Sequence, residues 1–282
     1  MPHMIKPYIE PVDLVALAKK LAKELPKPET PKQEPQQENK GKGPEQIAII
    51  NPDAQITKSD YLQAPGIKGI HGNPIIISKF EIQGANNKNY ENTHKHTLQN
   101  GLYMPTPGIF MPHFLNIVNA FHKNITIFDG EGNPISRKEL EDIYKHLTTN
   151  HISVYGVKGQ EGAWTWLNGK FIKGTGFNSL DLETVIGLNK DGNLITRSSP
   201  LEECVWNNAY VNLKFNSQGL ATRESGAQEY KQGNNIYFRH PIENAVVRFT
   251  ADSSRADLYC DRLPGGSDPS LGVFVCAEGA AS

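Results

Sequence analysis

A chain of 282 residues is long enough for one large domain with appendages and a real buried core. Lys plus Arg total 29 and Asp plus Glu total 30, a net charge of -1, so no basic excess draws it to a phosphate backbone or an anionic lipid surface. No apolar run approaches the ~20 residues of a membrane-spanning helix, and Met1 to Glu10, with Pro2, Pro7 and no apolar centre, does not read as a secretory leader. The expectation is therefore a soluble protein with no nucleic-acid partner and no membrane insertion.

From Pro11 to Leu25 the chain reads as one amphipathic helix, capped by Asp13 and stopped by Pro26. It either packs on the body, pairs with another copy or forms a loosely attached arm. Residues 26–46 hold five prolines and no Val, Ile, Leu or Phe, too little apolar surface to offset the entropy of ordering, so they are expected to be a disordered linker. The body begins near Ile47 with a lead-in segment over 47–73, and short apolar runs recur at Ile47–Ile50, Pro74–Ile82, Ile125–Phe128, Ile152–Val157 and Val246–Phe249. Asp129-Gly130, Asn168-Gly169 and Asp191-Gly192 lie between such runs and predict hairpin turns. Two helices are predicted in the body. One covers Met111 to Lys123 and is opened by Pro112. The other covers Ser136 to His146, where Ser136 and Glu139 make a capping box and Leu140, Ile143, Tyr144 and Leu147 a buried stripe. Two helices among many short strands is an α+β pattern.

Few residue clusters invite chemistry. His94 and His96 would share one side of a strand, yet no Cys or carboxylate at ligand spacing joins them, so a polar loop is the expectation. Asp129-Gly130-Glu131-Gly132-Asn133 lacks the further acidic positions of a calcium loop and reads as a turn. No phosphate loop, dinucleotide fingerprint, HExxH helix or GxSxG elbow occurs. Cys204 has Glu202 and Glu203 beside it, and negative neighbours raise a thiol's pKa, the wrong direction for a nucleophile. Cys204, Cys260 and Cys276 fit buried free thiols or one disulfide. Trp164 and Trp166 share a strand face, as core residues or as an aromatic platform for sugar. Trp206-Asn207-Asn208 matches only a fragment of the sugar-binding loop of calcium-dependent lectins.

The C-terminal segment is patterned differently. From Ala256 to Asp261 small or apolar residues (Ala256, Leu258, Cys260) strictly alternate with Asp257, Tyr259 and Asp261, so one set faces a core and the other faces out. A loop over Arg262 to Pro269 follows, and Leu271 to Cys276 reads as a buried strand returning to the sheet. On chemistry alone this is an edge hairpin with a polar face.

Three stretches resemble the variable proteins of diversity-generating retroelements, especially the archaeal kind. These are Ile76-Ile77-Ser78-Lys79-Phe80-Glu81-Ile82, Tyr103-Met104-Pro105-Thr106-Pro107 leading into a helix, and Val247-Arg248-Phe249 through Ser270-Leu271-Gly272-Val273-Phe274. The resemblance covers roughly residues 74–282 and implies a C-type lectin fold related to formylglycine-generating enzymes. In that family a terminal segment, here about 248–274, is rewritten by adenine-directed mutagenesis, and its substituted residues share a ligand-binding face. Carried over by the alternation, the variable positions would be Thr250, Asp252, Ser254, Arg255, Asp257, Tyr259, Asp261, Leu263, Gly266 and Asp268. Ala251, Ser253, Ala256, Leu258, Cys260, Arg262 and Pro264 would be framework. The ligand implied is a protein or cell-surface molecule, bound without cofactor, metal or catalytic residue. The alternatives are a formylglycine-generating-enzyme-like oxidoreductase, although no second Cys lies near Cys260, and a calcium-independent sugar-binding lectin.

Overall fold

The computed structural model describes residues 56–68, 74–82, 84–149, 162–252, 254–268 and 271–278. The helix predicted at Pro11–Leu25, the linker over 26–46, and the apolar runs Ile47–Ile50 and Ile152–Val157 lie outside them. The described residues form a mixed α+β structure of two sheets and three α-helices. None of these helices is long and apolar enough to cross a membrane.

The small sheet pairs β1 (Tyr61–Lys68) with β2 (Pro74–Ser78) and β2 with β10 (Cys276–Glu278), all antiparallel. The first two and the last of the described strands thus share one sheet. The large sheet has the order β5-β4-β3-β8-β9-β7-β6. Its members are β3 (Trp164–Lys173), β4 (Leu180–Leu188), β5 (Leu194–Pro200), β6 (Ala209–Asn212), β7 (Asn235–Arg239), β8 (Val246–Ala251) and β9 (Ala256–Arg262). Every neighbour pair is antiparallel except β7 with β9.

One face of the large sheet packs on α2 (Pro107–Lys123) and α3 (Arg137–Thr148). Phe110 and Phe114 meet Phe249 at 5.1 and 5.4 Å between ring centres, and Phe110 meets Phe274 at 5.4 Å. The predicted stripe of α3 is buried as expected. Its capping box is half used. Ser136 accepts from the Glu139 N–H at 3.1 Å, but the Glu139 carboxylate turns away to Lys79. Helix α2 opens four residues before the predicted start, with Thr106 at the cap and Pro107 at the first position, while Pro112 lies inside the helix. The second core lies by the other face of β3 and β8, where Trp166 and Val246 pack with Tyr90, Met104, Leu271 and Val273.

Three local expectations need correction. His94 and His96 lie on a helix, α1 (Tyr90–Gln99), rather than in a loop or strand. Asn89 caps it by accepting from the Asn92 N–H at 2.9 Å. Two residues apart on a helix, the histidines point to different sides, and His94 is buried edge-on to Tyr90 while His96 is half-buried. Asn168-Gly169 is not a turn. It lies within β3, where the register with β8 slips, and the Asn168 side chain bridges to β4 by bonding both the N–H and the C=O of Val185. Asp191-Gly192 does turn β4 into β5, and Asp129-Gly130 turns a short hairpin closed by Phe128 and Pro134. Lastly, residues 271–275 are a buried strap and not a strand; only Cys276–Glu278 pairs as β10.

The strap threads between the sheets. Gly272 donates to the Trp164 carbonyl at 2.8 Å, Phe274 to Thr165 Oγ1 at 3.1 Å and Val275 to Ser78 Oγ at 3.0 Å. Gly272 passes so close to Glu81 that a Cβ there would lie 2.8 Å from the Glu81 Cβ. Gly272→Ala is therefore expected to cost about 1–3 kcal/mol by overpacking. Gly265→Ala, in the open loop where an added Cβ meets nothing within 4 Å, should stay within about 0.5 kcal/mol. Urea melts of the two variants check this, and equal costs would show that the strap gives way freely.

Candidate functional site

The alternation predicted for 256–261 is present in β9. Ala256, Leu258 and Cys260 are fully buried against the helical side, with Ala251, Phe249 and Val247 of β8 beside them. Asp257, Tyr259 and Asp261 lie on the opposite face. The expectation that this opposite set stands open to solvent fails for several positions. Thr250 is 2 % exposed, Asp257 0 % and Tyr259 8 %. Asp252, Arg255, Asp261 and Asp268 are half-buried, and only Ser254, Leu263 and Gly266 are exposed. Leu263 stands furthest out, at 77 %. Arg262 and Pro264, expected as framework, are half-buried like the outward set, and Ser253 lies outside the described residues.

Neighbouring strands supply the cover. Tyr237 and Arg239 of β7 pair with Asp257 and Tyr259, and Arg248 of β8 pairs with Tyr259 from the other side. Arginines lie over the aromatic rings. The guanidinium carbons of Arg239, Arg248 and Arg262 are 4.9, 5.2 and 3.9 Å from the centre of the Tyr259 ring. Arg248 also lies 5.3 Å from the Trp164 ring, and Arg255 4.1 Å from Tyr237. Each such contact contributes about 0.5–2 kcal/mol, more as water is excluded. The face is thus a layer of Arg, Tyr and Trp lying flat on the sheet. Trp164, expected as core or as part of a sugar platform, meets Arg248 here, and Arg239 escapes the sequence reading because β7 is remote in sequence from the terminal segment.

The carboxylates in this layer differ. Asp252 Oδ1 accepts from Ser254 N–H, Ser254 Oγ and Arg255 N–H at 2.8, 2.6 and 3.1 Å, tying the β8–β9 turn. Burial alone would raise its pKa, but those hydrogen bonds and the Arg255 charge outweigh it and hold it below the ordinary carboxylate value. Asp257 receives Arg255 Nε at 3.0 and 3.2 Å. There burial wins: it pushes the carboxyl up to about 6 against the pull of Arg255.

The three cysteines are free and buried, which removes the disulfide alternative. Burial, with Glu203 adding to it, pushes the Cys204 thiol up to about 12, and burial pushes Cys260 and Cys276 well above the ordinary thiol value. Among the described residues no three His, Cys, Asp or Glu side chains converge as a metal site would require. Trp206 packs edge-on to Phe177, and Asn208 accepts from the His240 N–H at 3.2 Å, so that tripeptide serves local structure. Trp166 is core and Trp164 joins the arginine layer. No protein-family profile, curated protein or solved structure matches this chain.

The raised Asp257 makes a pH prediction. Its folded value of about 6 lies above the ordinary 3.8, so the stability it contributes is complete below about pH 4 and is lost as pH rises through 6. Asp257→Asn removes that titration. Urea melts from about pH 4 to pH 7 should show the wild-type stability falling by about 1–3 kcal/mol more than that of the variant. Parallel curves would mean that Asp257 titrates normally.

Proposed function

We propose that the chain is a non-enzymatic ligand-binding protein whose binding face is the outward side of β8, β9 and the following loop, presented as in a retroelement variable protein on a C-type-lectin-like scaffold. The observation that carries this is the composition of one sheet face. Arg239, Arg248, Arg255 and Arg262 lie over Trp164, Tyr237 and Tyr259, the residue types that dominate binding hot spots, above strands whose other side is closed core. Rings and guanidiniums already packed on one another lose little freedom when a ligand arrives. The antiparallel pairing of β10 with β2, which brings the end of the described chain back to its early strands, favours a lectin-like chain path. An oxidoreductase working through Cys260 is disfavoured, because that thiol is sealed on the core side of β9 with its proton held.

On this reading the sequence-predicted variable set divides. Asp252, Ser254, Arg255, Asp261, Leu263, Gly266 and Asp268 are reachable by a ligand, whereas Thr250, Asp257 and Tyr259 form the base on which the arginines rest. A library that varies Ser254, Arg255, Asp261, Leu263, Gly266 and Asp268 should stay mostly folded and yield binders to unrelated targets. Single substitutions at Ser254, Leu263 and Gly266 are expected within about 0.5 kcal/mol of wild type. Leu258→Ala should cost about 2–5 kcal/mol. A library that aggregates, or a native ligand whose affinity ignores the whole set, overturns the assignment. A near-copy of the codons for residues 248–274, differing at its adenines and lying beside a reverse transcriptase gene, would support the retroelement part of the reading.

A further inference from the structure

Ring faces hold the guanidiniums but do not use their in-plane N–H groups. The Nε atoms of Arg239, Arg248 and Arg262 are buried without a hydrogen-bond partner, as is Asp261 Oδ1 among them. A ligand from outside would therefore meet the exposed remainder of the Arg239 and Arg262 side chains. One carboxylate, Asp261, lies between two of these arginines, 3.5 Å from Arg239 and 3.8 Å from Arg262, long for a charge-assisted bond of roughly 2.7–2.9 Å. The side chains of Arg239 and Arg262 remain about one-third exposed, at 32 % and 33 %. Burial and the like charge of Arg262 both disfavour the Arg248 cation, with Asp268 and Asp261 giving partial relief. An incoming anion would complete this cluster.

We infer that the ligand is a protein segment carrying a carboxylate beside an apolar side chain, the carboxylate received by the arginines around Tyr259 and the apolar group by Leu263. The inference rests on the ligand-binding reading above. A planar carboxylate matches the guanidinium fork. The site cannot favour a polyanion. Asp252, Asp257, Asp261 and Asp268 are interleaved with the arginines, and the whole chain carries a net charge of -1, so a run of phosphates would meet repulsion beyond its first contact. Leu263, directly after Arg262 and 77 % exposed, offers an apolar contact at the edge of the charged cluster.

The test pans the full-length protein with a random phage-displayed peptide library. The expected binders share Asp or Glu beside an aliphatic or aromatic residue. Synthetic copies with Asn or Gln in place of the acid should bind about tenfold or more weakly. Arg262→Gln should weaken the acidic peptides similarly, and Arg262→Lys, which keeps the charge without the fork, should recover only part. Should the arginine variants fold poorly, a salt titration of the wild-type complex serves instead, and affinity that does not fall with ionic strength overturns the inference. Binders with no acidic preference that are still lost on Leu263→Asp would overturn the carboxylate chemistry and leave the binding face standing. Binders indifferent to both Arg262→Gln and Leu263→Asp would overturn the binding face itself. An oligothymidylate that competes as well as the acidic peptides would overturn the choice of a protein ligand.

Discussion

Glu81 has both carboxylate oxygens committed at 7 % exposure. Oε1 accepts from the Trp164 N–H at 2.9 Å, and Oε2 lies 2.7 Å from His146 Nε2. Three elements meet there: the segment leaving β2, the start of β3 and the last turn of α3. Gly272 passes against the Glu81 side chain, so the strap takes its path from the same residue. A buried charge with one partner removed costs about 3–5 kcal/mol, which is why such a junction holds its geometry firmly. The strap in turn delivers β10 to the small sheet, and β3 carries β8 and β9. The two ends of the terminal segment are therefore fixed from one point.

With the ends fixed, β9 divides its labour by parity. Ala256, Leu258 and Cys260 are sealed in the core that holds α2, α3 and the aromatic cluster of Phe110, Phe114, Phe249 and Phe274, and these supply the burial, whereas Arg262 at the strand end leaves the pattern and lies over Tyr259. The odd positions of β9 meet β7 and β8 side chains that are polar or aromatic, and the second core stops short of them. What covers that face is not a layer of backbone but long side chains lying down: Arg stems and guanidiniums over rings. Asp257 shows the consequence. It is shielded from water like a core residue yet touched mainly by charge, and burial outweighs its arginine partner.

Much of this was legible in the sequence wherever the signal was local. The stripe and cap of α3, the Asp191-Gly192 hairpin and the parity of β9 all come from spacing within a dozen residues. What failed was set by distance or by weak pattern. Helix α1 has no apolar stripe, since Tyr90, Thr93, His94 and Thr97 make its buried side, and a strong Asn89 cap does the work that hydrophobic periodicity usually does. Asn168-Gly169 has turn chemistry but is spent on bridging β3 to β4. Pro107 and Pro112 both suit a helix start, and only tertiary packing shows which one opens it. The cover of Asp257 and Tyr259 comes in part from Tyr237 and Arg239 of β7, whose parallel pairing with β9 no local pattern announces.

The geometry bears on how freely such a face could change. Residues exposed at the rim, Ser254, Leu263 and Gly266, can be exchanged with little effect on what lies below them. Arg255 is intermediate, because it neutralises Asp257 and lies over Tyr237. Thr250, Asp257 and Tyr259 are the coupled layer: changing Tyr259 removes the ring that three arginines share, and changing Asp257 leaves Arg255 without its carboxylate. Variation on this face is thus graded from rim to base. On the proposed binding role, specificity would shift at the rim without disturbing the scaffold, whereas a substitution at the base would move several guanidiniums together and redraw the whole surface.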